Sequence, residues 1–260
     1  MAFKTLLYEK KDGIGIITVN RPQVLNILDV EVFTELYHAF QMIEDDPDVR
    51  VAILTGTGEK AFIAGVDINY MHNKNSVDIE HFIAVARKTG DRIYTLSKPV
   101  IAAVNGLALG GGWEMAMACD LIIAASDARF GNPEITLGIV PGGGNMQRLC
   151  REIGMYRARE LIFTGDIINA DEVLAMGLVN KVVPRDQLMT EATELAQKLI
   201  GRGAVALAYA KKAMNSGAGM SLMSALDSDE CFFARCFATE DQKEGMKAFL
   251  EKRKPVFKNR

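Results

Sequence analysis

The stretch VIAAVNGLALGGGWE, residues 100–114, runs from a compact apolar segment into three consecutive glycines and then a glutamate. The apolar residues 100–104 predict a buried strand, and a short helix is predicted to follow the glycines. Glycine lets a backbone approach a ligand closely, and a helix N-terminus adds free N–H donors with a partial positive charge. This turn can therefore stabilise an oxygen that becomes negative during a reaction, although a tight strand-to-helix connection alone would also favour glycine.

The segments on either side of this stretch predict an α/β core. Compact apolar segments at residues 15–19, 51–55 and 121–124 indicate further strands. Between the first two of these strands, a helix is predicted that Asp29 caps and that has apolar residues at helical spacing. Residues 45–47 are predicted to end it, and a second helix is predicted over 79–94. This alternation indicates helices that cover a mostly parallel sheet.

From about residue 186 the pattern becomes helical. Helices are predicted over 204–215 and 222–237, and a last helix opens at Thr239, which has capping-box spacing to Gln242, and closes at Pro255. These helices are amphipathic and rich in Met and Phe, which suits packing on the core or on a neighbouring subunit. We therefore predict a core with the active site over residues 1–185 and a helical oligomerisation region over 186–260.

Composition excludes several classes of protein. The net charge of −3 provides no general basic field for nucleic acid, although residues 252–260 are locally basic. The glycine motifs match neither a dinucleotide nor a P-loop nucleotide site. No apolar run is long enough to span a membrane, and Met1 to Lys11 lacks the apolar core of a secretion signal. The four cysteines form no CxxC pair, which favours free thiols in a reducing cytosol, and we predict a cytoplasmic protein.

Two glutamates provide candidate acid–base chemistry. Glu114 follows the glycine triplet directly, and Glu134 lies in Gly131-Asn132-Pro133-Glu134, just past the strand-like residues 128–130. Burial can raise a glutamate pKa toward neutrality, so that one carboxyl group gives a proton while its partner takes one. Two carboxylates beside glycine-built N–H donors therefore indicate acid–base work on a carbonyl compound.

At these residues the sequence resembles the crotonase (enoyl-CoA hydratase/isomerase) superfamily, and most closely its short-chain enoyl-CoA hydratases. The resemblance covers essentially the whole chain, and its motifs occur in order. The matching segments are NRP (20–22), AFIAGVDI (61–68), KPVIAAVNG (98–106), ALGGG (108–112), FGNPE (130–134), LGIVPG (137–142), QRL (147–149), TED (239–241), EGM (244–246) and FLEKRK (249–254).

The resemblance implies a crotonase-like fold, which is a spiral of ββα units with a C-terminal helical region that supports trimers, often paired into hexamers. It implies an oxyanion hole from the N–H groups of Val66 and Gly111. Glu114 and Glu134 would hold a water molecule with help from Gly142; one glutamate would deprotonate the water as it attacks C3, and Glu134 would protonate C2. The substrate would be an acyl-CoA thioester, with no metal or redox cofactor. The implied contacts to substrate or CoA are Val24, Ala64, Asp67, Ile68, Phe249 and Lys252, the last two reaching an adjacent subunit.

Two other interpretations remain open. Trp113 stands where a smaller residue is common in the family, Asn69 where a Lys is common, and Asn145-Met146 where Gly-Thr is common. The changes at Trp113 and Asn145 leave open an isomerase, or a hydratase of a cyclic or branched enoyl-CoA. The basic C-terminus leaves open a non-catalytic scaffold or RNA-binding protein, which the acidic net charge opposes.

Overall fold

The computed structural model describes residues 3–260. Met1 and Ala2, the first two residues of the segment predicted to lack a secretion signal, lie outside the described residues. It contains a six-stranded sheet in the order β1-β2-β3-β5-β7-β10 and a four-stranded sheet in the order β4-β6-β8-β9. The strands are β1 (Leu6–Lys11), β2 (Ile14–Val19), β3 (Val51–Gly56), β4 (Ala61–Ile63), β5 (Val100–Val104), β6 (Leu107–Leu109), β7 (Leu121–Ala125), β8 (Arg129–Gly131), β9 (Ile168–Asn169) and β10 (Lys181–Val183).

Eleven α-helices lie between and after the strands in residues 3–260. They are α1 (Val30–Asp45), α2 (Ile68–Met71), α3 (Ser76–Thr95), α4 (Gly111–Ala118), α5 (Asn145–Ile153), α6 (Met155–Thr164), α7 (Ala170–Ala175), α8 (Leu188–Ile200), α9 (Ala204–Gly217), α10 (Leu222–Cys236) and α11 (Glu240–Leu250). Short 3₁₀ helices lie at Pro22–Val24, Pro133–Leu137 and Arg185–Gln187. Within residues 3–260, no helix combines the length and the apolar character of a membrane span.

In each of the pairs β3–β4, β5–β6 and β7–β8, the first strand belongs to the six-stranded sheet and the second to the four-stranded sheet. A helix follows each pair along the chain. The predicted ββα repeat is therefore confirmed. From β2 onward the large sheet is parallel, and β3 and β5 are buried along their whole length. Parallel strands covered on both faces give continuous apolar runs, which is why the sequence revealed them.

Helix α1 follows its sequence signals closely. The Asp29 carboxylate accepts a hydrogen bond from the Val32 N–H at 2.9 Å, and the helix ends at Asp45 as predicted. Its apolar positions Val32, Leu36, Phe40 and Ile43 are all buried. An N-cap and an apolar stripe are local properties, so they can be predicted without knowledge of the fold.

The C-terminal helices differ in how they meet the core. Helix α8 buries Leu188, Ala192 and Ala196 in the main hydrophobic core, whereas α10 has no buried residue. Thr239 caps α11 as predicted, but that helix ends at Leu250, so the prediction that Pro255 closes it is wrong. The division at residue 185 stays a prediction.

Candidate active site

Three loops converge because three short strands are parallel neighbours. Strands β4, β6 and β8 lie side by side in the four-stranded sheet with the same direction. The carboxyl ends of parallel strands share one edge of a sheet, where ligands bind in α/β folds. The loop 64–67, the glycines 110–112 and the loop 132–134 therefore meet there, although they are far apart in sequence.

This edge forms the floor of a cavity of about 270 Å³. Five of the predicted catalytic and anion-binding residues line it, namely Val66, Gly111, Glu114, Glu134 and Gly142, as do the predicted substrate contacts Ala64 and Ile68. The remaining wall is mainly apolar and includes Met71, Phe82, Ile83, Leu137, Ile139 and Val140. The cavity thus combines a polar floor with a lining suited to a hydrocarbon chain.

The Val66 and Gly111 amides are close neighbours at this floor. Leu28 bonds to the residues on either side of Val66, accepting from Asp67 and donating to Gly65, each at 2.9 Å. Because the backbone alternates direction along an extended segment, the Val66 N–H faces away from Leu28. Gly111 opens α4, so its N–H has no acceptor within the helix. A Cβ at Gly111 would lie only 2.9 Å from the Val66 side chain, so the two residues are direct neighbours in the fold.

Glu114 is almost fully buried, and its Oε1 is held by two main-chain donors. The N–H groups of Gly143 and Asn145 donate to it at 2.7 Å and 3.3 Å. Burial raises the pKa of Glu114 above the usual carboxyl value, and the charge of Glu134 raises it further. The two N–H donors and the Arg148 guanidinium oppose this rise, because they favour the ionised form.

Glu134 has a different environment. Asn132 Nδ2 donates to its Oε1 at 3.3 Å, whereas its Oε2 is buried with no partner within residues 3–260. Burial raises the pKa of Glu134, while its own backbone N–H and the Asn132 amide lower it. The unpartnered oxygen is therefore available to hold or release a proton inside the cavity.

Two glycines leave room for these carboxylates. Gly110 has φ +50°, and a Cβ there would lie 2.9 Å from Glu134 Oε1. A Cβ at Gly143 would collide with Glu114 Oε2. Gly110 and Gly143 thus do more than allow turns, because a side chain at either position would displace an acid.

Four predicted substrate contacts lie outside the cavity. Val24 is in the exposed 3₁₀ helix at Pro22–Val24, and the Asp67 carboxylate caps α2 by accepting from the Asn69 N–H at 2.9 Å. Phe249 is 82% exposed at the end of α11, with Lys252 just beyond it. Their predicted contacts to CoA stay predictions.

The sequence reasoning missed part of the polar network. The N–H groups of Gly143 and Asn145 hold Glu114, and the Asn145 side chain is fully buried against Asn132. Trp113 is also fully buried, where it packs on Phe130. Neither Trp113 nor Asn145 lines the cavity, so these two changes give no support to a cyclic or branched substrate.

The basic C-terminus is largely neutralised by acidic neighbours. Arg253 pairs with Glu244 at 2.6 Å, and Lys258 and Arg260 both pair with Glu240. Three of the five basic residues thus lie in ion pairs, which weakens the case for a nucleic-acid surface. Among residues 3–260, no cluster of His, Cys, Asp and Glu has the arrangement of a metal site.

The chain matches known proteins over its full length. It is 47% identical to the short-chain-enoyl-CoA hydratase of Clostridium acetobutylicum, with 100% of both chains covered. It is 45% identical to the crotonyl-CoA hydratase of Syntrophomonas wolfei, with 99% of both covered. These identities are far above the level at which only the fold is shared.

Solved structures and a family model agree with this. A crystal structure of an enoyl-CoA hydratase from Bacillus anthracis has a TM-score of 0.95 at 39% identity, covering 99% of this chain and all of that one. A second, from Geobacillus kaustophilus, has a TM-score of 0.95 at 42% identity, covering 99% of each. The crotonase fold is thereby confirmed. The model of the enoyl-CoA hydratase/isomerase family matches residues 9–260, and the chain belongs to that family.

Proposed function

We propose that this protein is an enoyl-CoA hydratase, which adds water reversibly across the double bond of a short-chain 2-enoyl-CoA to give the 3-hydroxyacyl-CoA. One observation carries the proposal: the buried Glu114 and the half-buried Glu134, whose Oε2 is shielded from solvent, line one cavity together with Val66 and Gly111. Relatives covered over their full length bear the names crotonyl-CoA hydratase and short-chain-enoyl-CoA hydratase.

The two amides would bind the thioester carbonyl. When hydroxide adds to C3, negative charge moves onto this oxygen and an enolate forms. Hydrogen-bond donors that are fixed before the reaction stabilise such a charge strongly, because they need no reorganisation. The thioester itself serves as the electron sink, so the proposed reaction uses no metal or redox cofactor, and coenzyme A enters as part of the substrate.

The glutamates would divide the proton transfers. We assign Glu114 as the base, since two N–H donors and the nearby Arg148 favour its ionised form. It takes a proton from the water as the oxygen bonds to C3, with Gly142 as a further water contact. Glu134, whose Oε2 has no partner in the described chain, gives its proton to C2. The net change is one water added, and proton exchange with solvent returns both acids to their starting states.

The size and lining of the cavity support a short acyl group. Ligand cavities commonly measure about 300–1,000 Å³, so a cavity of about 270 Å³ is small. Phe82, Ile83 and Met71 close its apolar side. Longer acyl chains would require movement of this wall.

Several further features are part of the same proposal. The CoA moiety would contact Val24, Asp67 and, from an adjacent subunit, Phe249 and Lys252. Self-association would use α10, which has no buried residue and exposes Leu222, Leu226 and Phe233; Phe237, just after the helix, continues this apolar stripe. Four free cysteines support a location in a reducing cytoplasm.

The test is turnover of crotonyl-CoA, followed as loss of the enoyl absorbance, with longer 2-enoyl-CoA thioesters for comparison. We expect 3-hydroxybutyryl-CoA and rates that fall with chain length. NMR of the product in heavy water separates hydration from isomerisation, because an isomerase moves the double bond without adding oxygen. Absence of hydration with every 2-enoyl-CoA, or salt-sensitive RNA binding in its place, would reject the proposal.

A further inference from the structure

Two buried amides connect the glutamates on the side away from the cavity. Asn145 Nδ2 donates to Asn132 Oδ1 at 3.0 Å, and Asn132 Nδ2 donates to Glu134 Oε1 at 3.3 Å. Asn132 is 1% exposed, and Asn145 is fully buried. The backbone N–H of the same Asn145 donates to Glu114 Oε1, so this residue reaches one acid directly and the other through Asn132.

Only the nitrogen of the Asn145 side-chain amide forms a hydrogen bond within residues 3–260. Its Oδ1 is buried and has no hydrogen-bond partner within residues 3–260. An unpaired buried oxygen is unfavourable, and buried polar groups are otherwise almost always satisfied. The protein tolerates this unpaired oxygen at Asn145, whose Nδ2 donates to Asn132. We therefore look for a role of the hydrogen bond from Asn145 to Asn132.

That role follows from the two possible orientations of Asn132. An asparagine can present either its NH₂ group or its oxygen to a neighbour. With Asn145 donating to Asn132 Oδ1, the NH₂ group must face Glu134. In the reverse orientation two amide donors would face each other, and the Asn132 oxygen would face a carboxyl oxygen.

We propose that the Asn145 side chain is a positioning residue, which locks the orientation of the Asn132 amide and thereby the position of Glu134. This inference rests on the proposed hydratase function. It extends the site beyond the cavity, because Asn145 does not line it. It also gives a reason for a buried asparagine at a helix start where the side chain does not serve as the cap.

The direction of the electrostatic effect is defined. The Asn132 donor lowers the pKa of Glu134 against the larger effect of burial. Glu114 from α4 is the charged group coupled to it, and Arg148 from α5 acts on Glu114 in turn. If Asn132 turns its oxygen toward Glu134, the pKa of Glu134 rises and the acid releases its proton less readily.

The sharpest variant is Asn145→Asp, which keeps the shape and the backbone N–H but replaces the donor by an acceptor. Asn145→Ala removes the side-chain contact altogether. With crotonyl-CoA we expect kcat to fall about tenfold in Asn145→Ala, the equivalent of one lost hydrogen bond, and further in Asn145→Asp. KM should change by less than about twofold, since binding contacts are intact. The basic limb of the kcat–pH profile should move to higher pH in both.

A control separates this role from general stability. Thr89 is fully buried, its hydroxyl donates to Phe33 O at 2.9 Å, and it does not line the cavity. Thr89→Val should lower the melting temperature but leave the pH profile unchanged. A wild-type protein without hydratase activity rejects the proposed function itself. If the wild type is active and the folded Asn145 variants keep its kcat and pH profile, the positioning role is rejected. It is also rejected if Asn145→Ala, Asn145→Asp and Asn145→Ser all fail to fold, because the residue is then needed for the fold itself.

Discussion

The two catalytic candidates are the same residue type in different surroundings. Glu114 accepts two main-chain hydrogen bonds at its side chain. Glu134 accepts one hydrogen bond from the Asn132 side-chain amide, and its Oε2 has no partner within residues 3–260. Environment divides the roles of paired carboxylates in this way, because hydrogen bonds to the ionised form favour a base and burial without them favours an acid.

Replacement of either acid by its amide should therefore stop proton transfer without disturbing the fold. We expect Glu114→Gln and Glu134→Gln each to lower kcat for crotonyl-CoA hydration by at least about 10²-fold, the lower range for a positioned acid or base. Glu160, whose position on α6 is exposed, provides a matched control as Glu160→Gln, which should retain full activity. Near-normal turnover in either active-site variant would remove that residue from the mechanism.

The raised pKa of Glu114 also makes a stability prediction. A carboxyl group that binds its proton more tightly in the folded state makes the folded protein less stable as pH rises. The loss of stability begins near the pKa of the unfolded state, about 4.3, and is complete above the pKa of the folded state. Glu114→Gln removes this loss. The variant should melt at a higher temperature than the wild type at about pH 8, and the two should converge near about pH 4. A lower melting temperature for the variant at the higher pH would contradict the raised pKa.

At the scale of elements, one buried lysine joins a C-terminal helix to the core. Lys211 on α9 is 8% exposed, pairs with Asp120 at 2.7 Å and also donates to Ile93 O and Lys98 O. Asp120 in turn accepts from the Val100 N–H at the start of β5. This cluster connects α9 to the first strand of the unit that carries Glu114.

Loss of that lysine should be costly because it removes the cation from the Asp120 carboxylate, which is 22% exposed, and the donor from two carbonyl oxygens. We expect Lys211→Met to lower the free energy of unfolding by about 1.5 to 3 kcal/mol, the range for hydrogen bonds to a charged group, measured by urea denaturation. Its neighbour Lys212 is exposed, so Lys212→Met is the matched control and should change stability by less than about 0.5 kcal/mol. Equal stabilities for the two variants would show that the buried pair contributes little.

At the scale of the whole molecule, α10 leaves an apolar stripe uncovered. Leu222, Leu226, Phe233 and Phe237 recur at helical spacing, and Phe233 is 68% exposed. Contiguous apolar surface of this kind commonly marks an interface between proteins. Its position in the predicted oligomerisation region fits self-association.

We therefore expect sedimentation analysis to find an assembly of three chains or a pair of such trimers. Phe233→Glu should reduce the mass toward a single chain and lower activity, because CoA contacts from the adjacent subunit would be lost. Cys231→Glu, which adds the same charge at an exposed position on another side of α10, should keep the assembly. A wild-type protein that sediments as a single chain would contradict the proposed interface.

Local chemistry made much of the fold predictable. The strands β2, β3, β5 and β7, the Asp29 cap of α1 and the helices α9 and α10 all follow signals carried within a few residues. The glycine triplet with Glu114 was visible for the same reason. Strands β4, β6 and β9 have two or three residues each, too short for any periodic pattern, and went unpredicted.

The sequence by itself determined which residues can do chemistry: two glutamates, and glycines that expose N–H groups. Only the tertiary structure decided that they meet, because the parallel pairing of β4, β6 and β8 brings distant loops to one edge. The contacts of Glu114 with Gly143 and of Asn145 with Asn132 likewise cross 29 and 13 positions of the chain. Pairing between strands and burial of side chains depend on the whole fold, so a local pattern cannot specify them.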